Sequence, residues 1–311
     1  MVQIDFKAAI RAMPIGKFAM IEPFVYTETD RTKSKWIAKA YQDYVNKTGR
    51  QRTTQRGLFY HALQRRESDY PICGGFVGEI RITRPYHEND GEKMPKWTSK
   101  AKELGLIPMD AILDEVAGEY IFPTEIQQDR PYSIEVWLNK SSLNSLLYPV
   151  CKKRGAILVS VNGRASENAV EALFQRCFHP TIILCLSDMS PASVFFCRDL
   201  ALKIAQSSSL KKGMDIRLKC IGIKPEQVLE LKLPAVRAKI NSKEDQERFK
   251  RYLKSQSMNP KNMVELDALE VYYPGGIAGF LDEILSKYSH SFDLNNELWI
   301  LDLNKGLIPL A

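Results

Sequence analysis

Two short apolar segments constrain the fold of this chain more than any other feature. They cover Ile134–Leu138 and Thr181–Leu186, and each ends abruptly at polar residues. Buried strands of a parallel sheet have this continuous apolar pattern, and helix-like spacing follows both segments. Open α/β sheets carry their sites at the carboxyl ends of such strands. The pattern therefore predicts an α/β fold with a central, mostly parallel sheet and a site at that edge.

A pair of helices is predicted well before the sheet. Between Ser34 and Gly49 the apolar residues follow helical spacing, and the glycine is typical of a helix C-terminus. Their positions are Trp36, Ile37, Ala40, Tyr41, Tyr44 and Val45. Thr53 or Thr54 is a suitable N-cap for a second helix that ends at about Arg66. Helix, short basic turn and helix form the skeleton of helix-turn-helix and winged-helix modules, whose second helix enters the major groove of DNA.

Positive charge is concentrated in two parts of the 311-residue chain, whose formal net charge is +7. Ten basic and two acidic residues lie between Asp30 and Arg66, and fourteen basic and six acidic residues lie between Lys203 and Lys254. Such regions favour contact with the phosphates of double-stranded DNA, although a solvated helix face is the simpler alternative for either one alone. The candidate DNA-binding residues are Arg50, Arg52, Arg56, Arg65 and Lys140.

Several short motifs occur in a fixed order along the chain. They are Arg56-Gly-Leu-Phe-Tyr60, Asn139-Lys140, Asn162-Gly-Arg-Ala-Ser166 and Asp188-Met-Ser-Pro-Ala-Ser193. This order resembles the A subunit of topoisomerase VI and the meiotic double-strand-break transesterase. The segments LIPMDAILD (106–114) and MVELDAL (263–269) extend the likeness to bacterial and phage relatives of that family.

The resemblance implies a domain organisation and a set of roles. Residues 1–130 would form a winged-helix-like DNA-binding domain, and residues 131–311 a toprim-like α/β domain with a C-terminal extension. Tyr60 matches the tyrosine that attacks the DNA phosphodiester, and Arg56, one helical turn earlier, would face the same way. The family also implies a homodimer. It further implies a separate ATPase subunit, and this chain has no recognisable ATP-binding motif of its own.

The metal site implied by the resemblance has lost ligands. Members of the family hold Mg²⁺ through one Glu and two Asp, and Mg²⁺ requires several oxygen ligands. Here Asn139 stands at the Glu position and Ser190 at the second Asp position, so that Asp188 alone remains. Glu265 and Asp267 are candidate replacements, because two strand-spaced carboxylates share one face. The alternative is a strand end followed by a helix N-terminus, where acidic residues are favoured.

Composition bounds the remaining possibilities. The six cysteines form no CxxC pair, which favours a reducing cytoplasm and gives no indication of zinc. No stretch is long and apolar enough to predict a membrane span.

Three functions remain. We favour a DNA-binding protein with weak or lost metal-dependent cleavage. The alternatives are an Mg²⁺-dependent DNA-cleaving transesterase or nuclease that uses Tyr60, and a structural subunit that binds a protein partner.

Overall fold

The structure is a computed structural model. It describes residues 27–64, 72–77, 80–113, 118–124, 130–191, 193–207, 209–210, 213–237, 243–255, 262–288, 299–302 and 306–307. The helices in this part of the chain are α1 (Glu28–Thr48), α2 (Gln55–Gln64), α3 (Met94–Glu103), α4 (Asn144–Lys153), α5 (Glu167–Arg176), α6 (Phe196–Gln206), α7 (Pro225–Glu230), α8 (Lys243–Ser255), α9 (Leu269–Tyr272) and α10 (Gly276–Ser286). The strands are β1 (Thr53–Thr54), β2 (Ile72–Val77), β3 (Ile80–Arg84), β4 (Ile112–Leu113), β5 (Tyr120–Phe122), β6 (Ser133–Leu138), β7 (Ala156–Ser160), β8 (Thr181–Leu186), β9 (Ile216–Cys220), β10 (Val236–Arg237), β11 (Asn262–Met263), β12 (Leu301–Asp302) and β13 (Gly306–Leu307).

A mixed sheet forms the centre of the α/β fold, with the strand order β13-β12-β9-β8-β6-β7-β5. Strands β7, β6, β8 and β9 are parallel, whereas β5 and β12 add antiparallel edges. All residues of β6 and β8 are buried, which explains their continuous apolar sequence. The two predicted strands and their parallel pairing are confirmed.

The predicted helix pair is also present. Helix α1 begins with a capping box between Thr27 and Asp30, and Gly49 ends it in the left-handed conformation with φ 69°. In α2, the hydroxyl of Thr54 accepts a hydrogen bond from the amide of Gly57 at 2.9 Å, as an N-cap does. The second helix is described as far as Gln64, so its predicted end near Arg66 lies outside the described residues.

Smaller sheets flank the helix pair. Strands β2 and β3 form an antiparallel hairpin, and β1 pairs with β4 in parallel. A single cluster of buried apolar side chains extends from Trp36 in α1 to Trp299 before β12. The core is therefore continuous across residue 130, where the sequence predicts a domain boundary.

Two segments of the C-terminal half have a secondary structure that their sequence did not clearly indicate. Helix α8 lies in the highly charged segment, where Phe249 and Leu253 are buried one helical turn apart. Glu265 and Asp267 do not share a strand, because β11 ends at Met263 and a 3₁₀ turn covers Leu266–Ala268. The alternative prediction, a strand end followed by a helix N-terminus, is confirmed, since α9 begins at Leu269. Among the described helices, none is long and apolar enough to cross a membrane.

Candidate active site

Four segments distant in sequence meet at the carboxyl edge of the sheet. Strand β6 leads into Lys140, and β8 leads into Asp188 two residues after its end. Met189 and Val264 exchange backbone hydrogen bonds of 2.9 and 3.0 Å, which fixes the segment after β11 beside Asp188. Helix α2 packs against the 3₁₀ turn that follows and brings Tyr60 to the same place.

Tyr60, Arg56 and Glu265 form one half of this cluster. The Tyr60 hydroxyl donates to Glu265 Oε2 at 3.1 Å, and Arg56 Nε donates to the same oxygen at 2.6 Å. Arg56 Nη2 lies 3.4 Å from the Tyr60 hydroxyl, so the prediction that these side chains face the same way is confirmed. A carboxylate placed in this way can accept the phenolic proton, and a guanidinium can stabilise the phenolate.

Lys140 joins two carboxylates in the other half of the cluster. Its ammonium nitrogen lies 2.5 Å from Asp267 Oδ2 and 3.8 Å from Asp188 Oδ2. The Thr54 hydroxyl donates to Asp267 Oδ1 at 2.7 Å, and the amide of Leu266 donates to Asp188 Oδ1 at 2.7 Å. Both oxygens of Asp267 therefore accept hydrogen bonds, whereas Asp188 accepts one hydrogen bond and forms a longer ion pair with Lys140.

The Tyr60 side chain has no solvent exposure. Burial, together with the neighbouring Glu265 carboxylate, raises the pKa of Tyr60 well above its ordinary value, and the Arg56 charge offsets only part of this rise. Burial alone would lower the pKa of Arg56, but the Glu265 carboxylate reverses the effect and raises it. Near neutral pH, Tyr60 is therefore a neutral phenol and Arg56 a cation.

The pKa values of Lys140 and its two carboxylate neighbours shift in different directions. Burial would lower the pKa of Lys140, but Asp188, Asp267 and Glu265 together raise it, so the ammonium stays charged. Burial raises the pKa of Asp188, and Lys140 compensates only in part. For Asp267, the Lys140 charge and the hydrogen bonds from Lys140 and Thr54 outweigh burial, so the pKa of this carboxyl lies below its ordinary value.

The residues do not fit a divalent cation in this arrangement. The ammonium of Lys140 lies between Asp188 and Asp267, and Arg56 occupies Glu265. No group of three or more His, Cys, Asp or Glu side chains able to hold a metal ion is found in the described part of the chain. Cations of the chain itself therefore neutralise these three carboxylates.

The candidate DNA-binding arginines have different surroundings. Arg50 is partly buried, forms an ion pair of 2.9 Å with the buried Glu270 and donates to Tyr44 at 3.1 Å. Arg52 immediately precedes β1, three residues before α2, with 62 % of its side chain exposed, and it pairs with the equally exposed Asp110. Arg56 and Lys140 belong to the cluster described above, and Arg65 lies outside the described residues. Among the four members that the structure describes, Arg52 has the most exposed side chain.

Sequence reasoning missed two participants. Thr54 was one of two predicted helix caps, and its hydroxyl also donates to Asp267. Glu270 is buried and accepts hydrogen bonds from Tyr44 and the amide of Ile277, which ties α1 to the start of α10. No local signal distinguishes Glu270 from a surface acid, since its partners lie far away in sequence.

Comparisons with protein-family models and with curated proteins give no match to this chain.

Proposed function

We propose that this chain is a DNA-binding protein related in plan to the A subunit of topoisomerase VI, in which metal-dependent cleavage is weak or lost. The hydrogen-bonded group of Tyr60, Arg56 and Glu265 carries the proposal. The resemblance assigns Tyr60 and Arg56 to one site with acidic residues of the second half of the chain. Their contact with Glu265 supports that assignment. In this proposal the N-terminal part is winged-helix-like and the central sheet is toprim-like.

The loss of cleavage is supported by the same contacts. An attacking phenol must reach a phosphodiester and lose its proton, but Tyr60 is fully buried and its pKa is raised. Lys140 neutralises the acidic residues that would otherwise attract Mg²⁺. DNA binding is supported by the two basic regions and by exposed Arg52, three residues before α2.

We expect supercoiled plasmid to be retarded but left uncut by the wild-type protein, with Mg²⁺ or with EDTA. The Tyr60→Phe variant, which keeps the ring and loses only the hydroxyl, should give the same result. Gels run with and without SDS and protease would detect nicked, linear or protein-linked DNA. Nicking that requires both Tyr60 and Mg²⁺ would contradict the loss of cleavage and establish a transesterase.

Charge reversal in Arg52→Glu is expected to weaken DNA binding roughly three- to tenfold and to lower the salt slope by about one, because a phosphate contact is lost. Fluorescence anisotropy with a labelled duplex at several salt concentrations would measure both quantities. Asp110→Asn, which frees Arg52 of its partner, should bind at least as tightly as wild type. Lys152→Glu, at the exposed end of α4, makes the same change in charge elsewhere.

Two results would count against DNA binding at this surface. One is an Arg52→Glu affinity equal to that of wild type at low salt, and the other is an equal loss in Lys152→Glu. A wild-type protein that binds no duplex even at low salt would instead favour the structural-subunit alternative.

A further inference from the structure

A cavity of about 500 Å³ opens beside Asp188. It lies where β8 and β9 end, under the beginning of α6, and the end of α8 closes one wall. Its volume falls in the range of small-molecule sites, which bury most of a ligand of nucleotide size. Of the charged and phenolic side chains in the cluster around Tyr60, only Asp188 lines this cavity.

Two aromatic side chains form part of the wall. The ring centroids of Phe195 and Tyr252 lie 6.4 Å apart and the rings are steeply inclined, and both are only partly buried. The guanidinium of Arg248 covers one face of Phe195 at 4.1 Å. Aromatic rings and arginine planes that line a cavity are the surfaces on which nucleic-acid bases stack.

Cations surround the same cavity. Arg198, Lys224 and Arg251 line it and are exposed. Within the described residues, these three side chains form no hydrogen bond and no ion pair, unlike Arg56 and Lys140 of the Tyr60 cluster. Unpaired cations from three separate elements around one cavity favour an anionic ligand, and Arg is suited to phosphate in particular.

A thiol provides a reporter inside this cavity. Cys220, at the end of β9, lines the wall with Cys197 of α6. The hydrogen bond from Cys197, with smaller help from the Gly222 amide and the Lys224 charge, lowers the pKa of Cys220 to about 7, whereas burial raises that of Cys197. Cys220 is therefore partly thiolate at neutral pH, and a ligand in the cavity would cover it.

We propose that this cavity binds one nucleotide, with its base against Phe195 and Tyr252 and its phosphate toward Arg198, Lys224 and Arg251. The phosphate is assigned to these three cations because they carry the exposed positive charge of the cavity. The nucleotide can be free in solution or an unpaired nucleotide of a DNA strand. Binding of a free nucleotide does not rest on the proposed function, whereas binding of a strand end does.

The first test is equilibrium dialysis of the full chain with radiolabelled dAMP. We expect saturable binding at one site per chain, and Tyr252→Ala should weaken it about tenfold because one stacking surface is lost. Arg251→Ala should weaken dAMP binding by a similar factor, through loss of a charged hydrogen bond, and should leave deoxyadenosine binding unchanged. Lys152→Ala is the matched control for removing an exposed cation and should have no effect.

The second test locates the ligand. At a dAMP concentration near ten times its Kd, alkylation of Cys220 by iodoacetamide should slow about tenfold, in proportion to the free sites. Mass spectrometry of the Cys220 peptide gives the rate, and inorganic phosphate and deoxyadenosine serve as partial ligands. A duplex with an unpaired end that protects Cys220 better than a blunt duplex would identify a strand as the source.

The outcomes separate this proposal from the proposed function. Absence of dAMP binding in dialysis together with no protection of Cys220 by any DNA end would overturn it, and so would phosphate binding as tight as that of dAMP. Arg52→Glu should leave dAMP binding intact even where it weakens duplex binding. Saturable dAMP binding in a protein that retards no plasmid would support the cavity and reject the proposed function.

Discussion

Replacing Lys140 by methionine is expected to lower the free energy of unfolding by about 3–5 kcal/mol near neutral pH. The ammonium lies 2.5 Å from Asp267 and 3.8 Å from Asp188, and its side chain is 22 % exposed. Methionine preserves most of the volume of the side chain but leaves two carboxylates in a poorly hydrated place without their cation. Urea unfolding followed by circular dichroism would measure the loss.

The loss should depend on pH in a defined direction. Without Lys140, the carboxyls of Asp188 and Asp267 are expected to have folded-state pKa values above their unfolded values near 4. Groups with raised pKa values favour the folded state below the unfolded pKa, and this advantage disappears as the pH rises through the folded pKa. The gap between variant and wild type should therefore be smaller at pH 5 than at pH 8.

Lys153→Met provides the matched control. Lys153 is 67 % exposed and lies 3.4 Å from Asp282 at the surface. Because exposed ion pairs contribute little, this variant should remain within about 0.5 kcal/mol of wild type at every pH. If Lys140→Met behaves in the same way, Lys140 is a solvated lysine, and its supposed role as the cation of this site is wrong.

Much of the fold could be predicted because its signals are local. The bounds of β8 agree with the apolar run Thr181–Leu186, and Gly49 ends α1 as predicted. Helix α8 was missed, although Phe249 and Leu253 recur at helical spacing, because the charges of this segment dominate its composition. Periodicity thus located elements wherever apolar residues were dense enough to reveal it.

The site could be predicted only in part. The i, i+4 spacing placed Arg56 beside Tyr60, but the contact of Tyr60 with Glu265 joins residues 205 positions apart. The expectation that Glu265 and Asp267 share a strand face fails at the 3₁₀ turn, although both carboxylates still reach the cluster. Lys140 at a strand end gives no indication from sequence of whether its charge meets solvent, DNA or a carboxylate.

Asp267→Asn and Asp188→Asn should change stability in opposite directions, although both remove one carboxylate from the same ammonium. Asp267 is fully buried and its pKa is lowered, so its charged form favours the folded state. Losing that charge should lower the free energy of unfolding by about 2–4 kcal/mol. The pKa of Asp188 is raised by burial, so its neutral isostere should cost nothing or raise stability slightly at pH 7.

The pH dependence distinguishes these two variants from a general disturbance of the cluster. The stabilising contribution of Asp267 is present above its unfolded pKa near 4 and is lost as the pH falls through its lower folded pKa, so Asp267→Asn should approach wild type only in strong acid.

The unfavourable contribution of Asp188 develops as the pH rises through its raised folded pKa. Asp188→Asn should therefore match wild type below about pH 4 and equal or exceed it at pH 7. Urea unfolding between pH 3 and pH 8 would measure both profiles. Equal losses in the two variants at pH 7 would show that Lys140 depends on both carboxylates alike, against the asymmetry of their distances.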